Sequence, residues 1–210
     1  DINSAETRAL PSFKEKPFFE YHIYELSRKS SLKNNEMKQI EFIRAENIAV
    51  EKILVYNGAH NGSAVAVNLE FKNSRENKLG IPLPKGRIRV SKYDGDCMEF
   101  VGGDDIGHTA KDAKISLYTG NAFGVTGERT RTNYKTLSKS AEESYKITVK
   151  NSKKSSVDVK IVEPMRGWDE WKITESSAKF SKKDSHTAEC LVNVAAGSEK
   201  TVTYTVKYTW

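Results

Sequence analysis

Only two of the 210 residues are cysteine, and no apolar run approaches the roughly 20 residues that a membrane-spanning helix requires. No serine or cysteine stands in a nucleophile-elbow context, so acyl transfer through a covalent intermediate has no visible site. Gly102-Gly103 and Gly120–Gly127 have neither the spacing nor the following helix of a phosphate-binding loop, so no Gly-rich phosphate loop is read. No charged n-region and apolar h-region follow Asp1, so no signal peptide is read. That leaves the compartment open, because a mature secreted chain begins the same way.

Cys97 and Cys190 fall in different halves of the chain, so a disulfide within one half is not expected, while a bridge between halves stays open. Cys190 sits in the alternating run Glu189–Val194 and reads as a small core hydrophobe. Cys97 follows the acidic Asp94–Asp96 turn, where a thiolate is disfavoured. Low mean hydropathy (−0.63) marks a chain with a polar surface. Its net charge of +6 is uneven. Residues 1–112 carry 17 basic and 17 acidic side chains, whereas 113–210 carry 17 and 11. The excess favours anionic partners, or simply solubility.

What is present is repetition. AVAVNLEFKNS at 64–74 aligns with AEESYKITVKNS at 141–152, and each runs into an apolar stretch closed by proline and glycine: Leu79–Gly86 and Val157–Gly167. Gln39–Asn57 and Lys114–Asn133 align more loosely upstream. A repeat of that length fits a small β-sandwich rather than a solenoid unit. Period-two alternation supports strands throughout. Val65, Val67, Leu69 and Phe71 share one face, and Val202, Tyr204, Val206 and Tyr208 form the clearest run. Arg87–Tyr93 and Met98–Val101 read as a hairpin across Asp94-Gly95. Tyr145–Val149 and Val157–Ile161 read as another, with 151–156 as its tip. Short helical turns fit Ser138–Glu143. The fold expected is all-β: two tandem immunoglobulin-like β-sandwich domains, at 18–112 and 113–210, after a linker or arm at 1–17.

IPLPKGRIRV (81–90), DDIGHTAKD (104–112), GNAFGVTGERTRTNYK (120–135) and YTVKYTW (204–210) together resemble a bacterial domain family of unknown function. That family forms the C-terminal part of mucoidy-inhibitor-A-like proteins. YKITVKNSKKSSVDVKIVEP (145–164) and WKIT (171–174) fit the same pattern. The resemblance implies a location in the cell envelope or on the periplasmic side rather than in the cytoplasm, and an N-terminal partner domain absent from this chain. It brings no established activity, cofactor or catalytic residue.

Three candidate sites remain. Lys85, Arg87 and Arg89 occupy alternate positions of an expected strand and form a cationic stripe suited to phosphates, uronates or sulfates. The plainer reading is a solvated or edge-protecting strand face. Trp168 and Trp171 offer rings for sugar stacking, or else plug the core. Asp104, Asp105 and His108 supply ligands for a divalent metal or an acid–base pair; their spacing matches no established ligand set, and they read more naturally as a turn at the domain crossing. A second basic group, Lys150, Lys153, Lys154 and Lys160, surrounds a hairpin tip with no aromatic interleaved in sequence, so nucleic acid is not expected as a partner. The function expected is a non-catalytic module, without cofactor, contacting protein or anionic polysaccharide of the cell envelope. The rival is a hydrolase-like or metal-dependent enzyme with its site at the domain joint.

Overall fold

The computed structural model describes residues 13–19, 21–26, 29–166 and 170–210. All regular structure among them is β. Thirteen strands follow one another: β1 (Phe13–Phe18), β2 (Tyr21–Leu26), β3 (Glu51–Tyr56), β4 (Ala64–Lys72), β5 (Gly86–Asp94), β6 (Cys97–Ile106), β7 (Lys114–Leu137), β8 (Ser140–Asn151), β9 (Val157–Pro164), β10 (Glu170–Ser176), β11 (Ser181–Asp184), β12 (Thr187–Val194) and β13 (Glu199–Thr209). β1 pairs with β2, and β5 with β6, as two-stranded sheets. The other nine form one sheet in the order β10-β13-β8-β7-β4-β3-β9-β12-β11. The β3–β9 pair within it is parallel. Ser140–Glu143 extends as strand, where the sequence had allowed a helical turn: Ala141, Glu143 and Tyr145 are buried at every second position.

Chain length shows that this sheet folds over on itself. β10 and β11 are its two edges, eight strand spacings or about 38 Å apart if the sheet were flat. Ser176 and Ser181 are joined by five residue steps, which reach about 18 Å at most. The edges therefore approach one another, and the indole Nε1–H of Trp171 on β10 donates to the Ser185 carbonyl beyond β11 at 2.7 Å. Between the folded halves lies a single core containing Ile147, Val149, Val202 and Val206 from one side and Val159, Ile161, Val192 and Val194 from the other. The same geometry corrects the hairpin expected at 145–161. β8 pairs with β7 and β13, and β9 with β3 and β12, so the segment 151–156 crosses between layers instead of turning back within one.

The residues gather into two compact units that interleave in sequence. One comprises the described residues of Asp1–Ala49, Phe71–Gly86 and Ile106–Ile115; the other comprises Val50–Glu70, Arg87–Asp105 and the described residues of Ser116–Trp210. The boundary expected at residues 112/113 falls inside the last segment of the first unit. Strands from both expected halves, β3 and β4 as well as β7 to β13, contribute to the nine-stranded sheet.

The sequence repeat has a backbone counterpart in each unit. Ala113 N–H donates to the Ala110 carbonyl at 3.3 Å, and Ser198 N–H to that of Ala195 at 3.3 Å. Asp112 (φ 64°) and Gly197 (φ 63°) take the left-handed position in those two turns, which aspartate and glycine tolerate. Asn73 N–H donates to Ala113 at 2.9 Å, and Asn151 N–H to Ser198 at 2.8 Å. β7 serves both repeats: its early residues lie beside β4, and from Val125 it pairs with β8. Gly120 (φ 137°) and Gly124 (φ 78°) lie where one role gives way to the other.

Candidate functional site

β9 carries an inward alternation of Val157, Val159, Ile161 and Glu163, which brings a carboxylate into the core with no exposure at all. An uncompensated buried carboxylate is costly, so its partners define the chemistry of the larger unit. Arg129 on β7 donates from Nε to both Glu163 oxygens, at 3.2 and 2.9 Å. The Tyr204 hydroxyl on β13 donates to the same carboxylate. Beneath the guanidinium lies the Tyr145 ring, 3.8 Å from its carbon to the ring centroid, and Tyr145 stacks on Tyr204 at 5.3 Å. The Tyr145 hydroxyl donates to Glu143, which also receives Arg166. Arg166 covers the Tyr208 ring at 4.7 Å.

Electrostatics make this cluster a clamp. Burial, reinforced by the Glu163 charge, raises the Tyr204 phenol far above its ordinary value. Burial and then Glu143 raise Tyr145, and burial pushes Tyr208 up to about 12. Burial opposes the charge on Arg129, but the Glu163 carboxylate outweighs it and the guanidinium is held protonated. The phenols therefore stay neutral donors near pH 7, and the donors and carboxylates spend their hydrogen bonds on one another. Sequence reading missed this cluster. Its one available signal was Glu163 at an inward position of an apolar alternation.

The residues singled out from sequence stand elsewhere. Arg87 and Arg89 alternate on β5 as expected and are exposed, as is Lys85 just before the strand. Arg87 is 3.6 Å from Asp105 across the β5–β6 hairpin. Asp104 accepts the backbone N–H groups of Asp105 at 2.8 Å and of Tyr118 at 3.0 Å. His108 is exposed and lies in the other unit. Among the described residues no three His, Cys, Asp or Glu side chains are grouped to hold a metal ion. Trp171 is partly buried, its N–H is taken by Ser185, and the Lys182 ammonium lies 4.7 Å over its ring. Trp168 lies outside the described residues.

A shallow, open hollow of about 430 Å³ lies on the outer side of the sheet, lined by Thr132, Ser144, Glu175, Ser177, Thr203 and Thr205 among others. It is bordered by bulges at Arg131/Asn133 on β7 and Ile173/Glu175 on β10. Its hydroxyls bond one another, Ser144 to Thr205 at 2.9 Å, and Glu175 is the single carboxylate among its lining residues. Paired general acid and base groups are not assembled there. Cys190 is buried, and burial pushes its thiol up to about 11, which makes it inert. Comparison with protein-family models, with curated proteins and with solved structures finds no match to this chain.

Proposed function

We propose that this chain is a non-catalytic binding or structural module of a bacterial cell envelope that contacts protein or anionic polysaccharide. The observation that carries the reading is the division of polar chemistry. Buried charges, Glu163 with Arg129 and Glu143 with Arg166, are spent on one another, whereas the cations of β5 are exposed. A surface of that kind attracts polyanions and fixes their orientation by charge-assisted hydrogen bonds. The hollow with one carboxylate offers hydroxyls for contact and lacks the pair of carboxyl groups that glycoside hydrolysis uses.

The envelope location rests on the resemblance of residues 81–90, 104–112, 120–135 and 204–210 to the mucoidy-inhibitor-A-like C-terminal domains. The finer architecture, two related immunoglobulin-like modules in tandem, is supported by the sequence repeat and by the paired turns at 110–113 and 195–198. The shared sheet argues that the two modules would not fold as independent sandwiches.

The test is binding to immobilised uronate- and sulfate-bearing polysaccharides, with Lys85, Arg87 and Arg89 changed together to glutamate. Binding that disappears in the triple variant supports the reading. Equal binding by the variant removes β5 as the contact surface.

A further inference from the structure

Phe123 is 96 % exposed, on a segment of β7 that precedes its pairing with β8. Its neighbour Gly124 takes φ 78° and accepts the Ser152 N–H at 2.7 Å. A side chain at Gly124 would stand 3.5 Å from Cγ of Lys153. The backbone at Phe123-Gly124 thus runs against the basic crossing loop 151–156, although nearly 30 positions separate them in sequence. Lys153 in turn accepts the Gly197 N–H at 3.1 Å, which brings the turn before β13 into the same corner. Lys154 is exposed in the loop and Lys153 is partly so, while Lys150 and Lys200 are exposed at the adjoining strand ends on opposite faces of the ladder, Lys150 opposite Glu199 and Lys200 opposite Val149. Among the described residues no ion pair engages any of the four. Glu199, opposite Lys150 in the ladder, is the local acid.

We infer that this corner, Phe123 with Lys153 and Lys154 of the crossing loop, is a docking surface for an anionic lipid bilayer. Charge complementarity chooses an anionic partner, and the residue types choose a bilayer. Its cations are lysines, compact mobile charges suited to a diffuse field rather than to the bidentate grip that arginine gives a fixed carboxylate or sulfate. A phenyl ring has no hydrogen-bonding group for sugar hydroxyls and gains most by leaving water for the acyl boundary. Hydrogen bonds from Ser152 and Gly197 hold the corner in place, so inserting the ring does not require the backbone to reorganise. This surface shares no residue with the β5 stripe, and the two readings fail independently.

The experiment is co-sedimentation of the full chain with phosphatidylcholine vesicles, with and without phosphatidylglycerol, at low and high salt. Binding is expected only to the anionic vesicles and is expected to fall as salt rises. Each lysine near an anionic surface contributes about fivefold, so Lys153→Glu with Lys154→Glu lowers binding roughly 25-fold or more. Phe123→Ala lowers it about tenfold, the gain from burying one aromatic ring. Phe123→Trp retains binding, and brominated acyl chains quench its added fluorescence. Phe123 and Lys154 are exposed and Lys153 partly so, and circular dichroism of the variants should match the parent. Equal binding to both vesicle types, no binding at low salt, or indifference to Phe123→Ala would overturn the inference. So would Phe123-dependent binding to a soluble polyuronate without any binding to vesicles, which would assign the corner to polysaccharide.

Discussion

The Asn73 amide donates from Nδ2 to the carbonyls of Ile81 at 2.7 Å and Ala110 at 2.9 Å, and the Asn151 amide donates to those of Ser155 at 2.8 Å and Ala195 at 3.1 Å. Each Oδ1 accepts a backbone N–H at 3.0 Å, from Gly80 for Asn73 and from Lys153 for Asn151. Both residues are fully buried. An asparagine amide can donate to carbonyls and accept from an amide at the same point. Each one satisfies a corner where a strand ends, a loop begins and a distant turn must be tied down. The N-S dipeptides that align in the sequence repeat therefore mark two copies of one hydrogen-bonded device.

Replacing either asparagine leaves buried backbone groups unpaired. Each such group costs about 1–3 kcal/mol, so Asn73→Ala and Asn151→Ala should each destabilise by about 3 kcal/mol or more in urea unfolding. Aspartate should not rescue either position, since a carboxylate cannot donate to carbonyls. A loss below about 1 kcal/mol at either site would break the equivalence.

The Arg129–Glu163 pair yields a second prediction. Glu163→Gln or Arg129→Met alone should cost about 3–5 kcal/mol, because each leaves its partner buried and uncompensated. The double change Arg129→Met with Glu163→Gln should cost clearly less than the sum of the single changes. Additive losses would show that the two residues do not act as a pair.

Stability should fall at alkaline pH. Tyr145, Tyr204 and Tyr208 ionise at higher pH folded than unfolded, so the unfolded state loses their protons first. Their contribution is complete below the ordinary phenol range near pH 10 and is lost as pH rises from there; for Tyr208 the loss runs to about 12. Tyrosinate absorbance should rise in two stages, exposed phenols first, and these three together with the buried Tyr56 only with unfolding. A single stage near pH 10 would contradict their burial.

Much of this fold was legible and some was not, for identifiable reasons. Val202, Tyr204, Val206 and Tyr208 face inward as their alternation says, because period two is a local property of the pleat. The β5–β6 hairpin follows from Asp94-Gly95, a local turn signal. The crossing at 151–156 misled, because a polar tip between two apolar runs looks the same whether the chain turns back or passes to another layer. The arrangement is decided by Asn151, whose partners Val194 and Ala195 are remote in sequence. The approach of Phe123-Gly124 to the 151–156 loop was illegible for the same reason.

Thiol chemistry gives a quick check of burial. Cys97 is exposed and Cys190 is buried, with its thiol pushed up to about 11. One thiol should react with an aromatic disulfide reagent in the native protein and both in denaturant. Two fast thiols in the native protein would show that β12 does not close the core.

On the proposed reading the chain binds an anionic polysaccharide of the envelope without cutting it. The most direct measurement mixes the protein with an acidic polysaccharide and follows bound fraction and polymer length together, at low and high salt. Binding that salt reverses, with polymer length unchanged, is the predicted result. Shortening of the polymer, or the absence of binding to every polyanion tried, would contradict it.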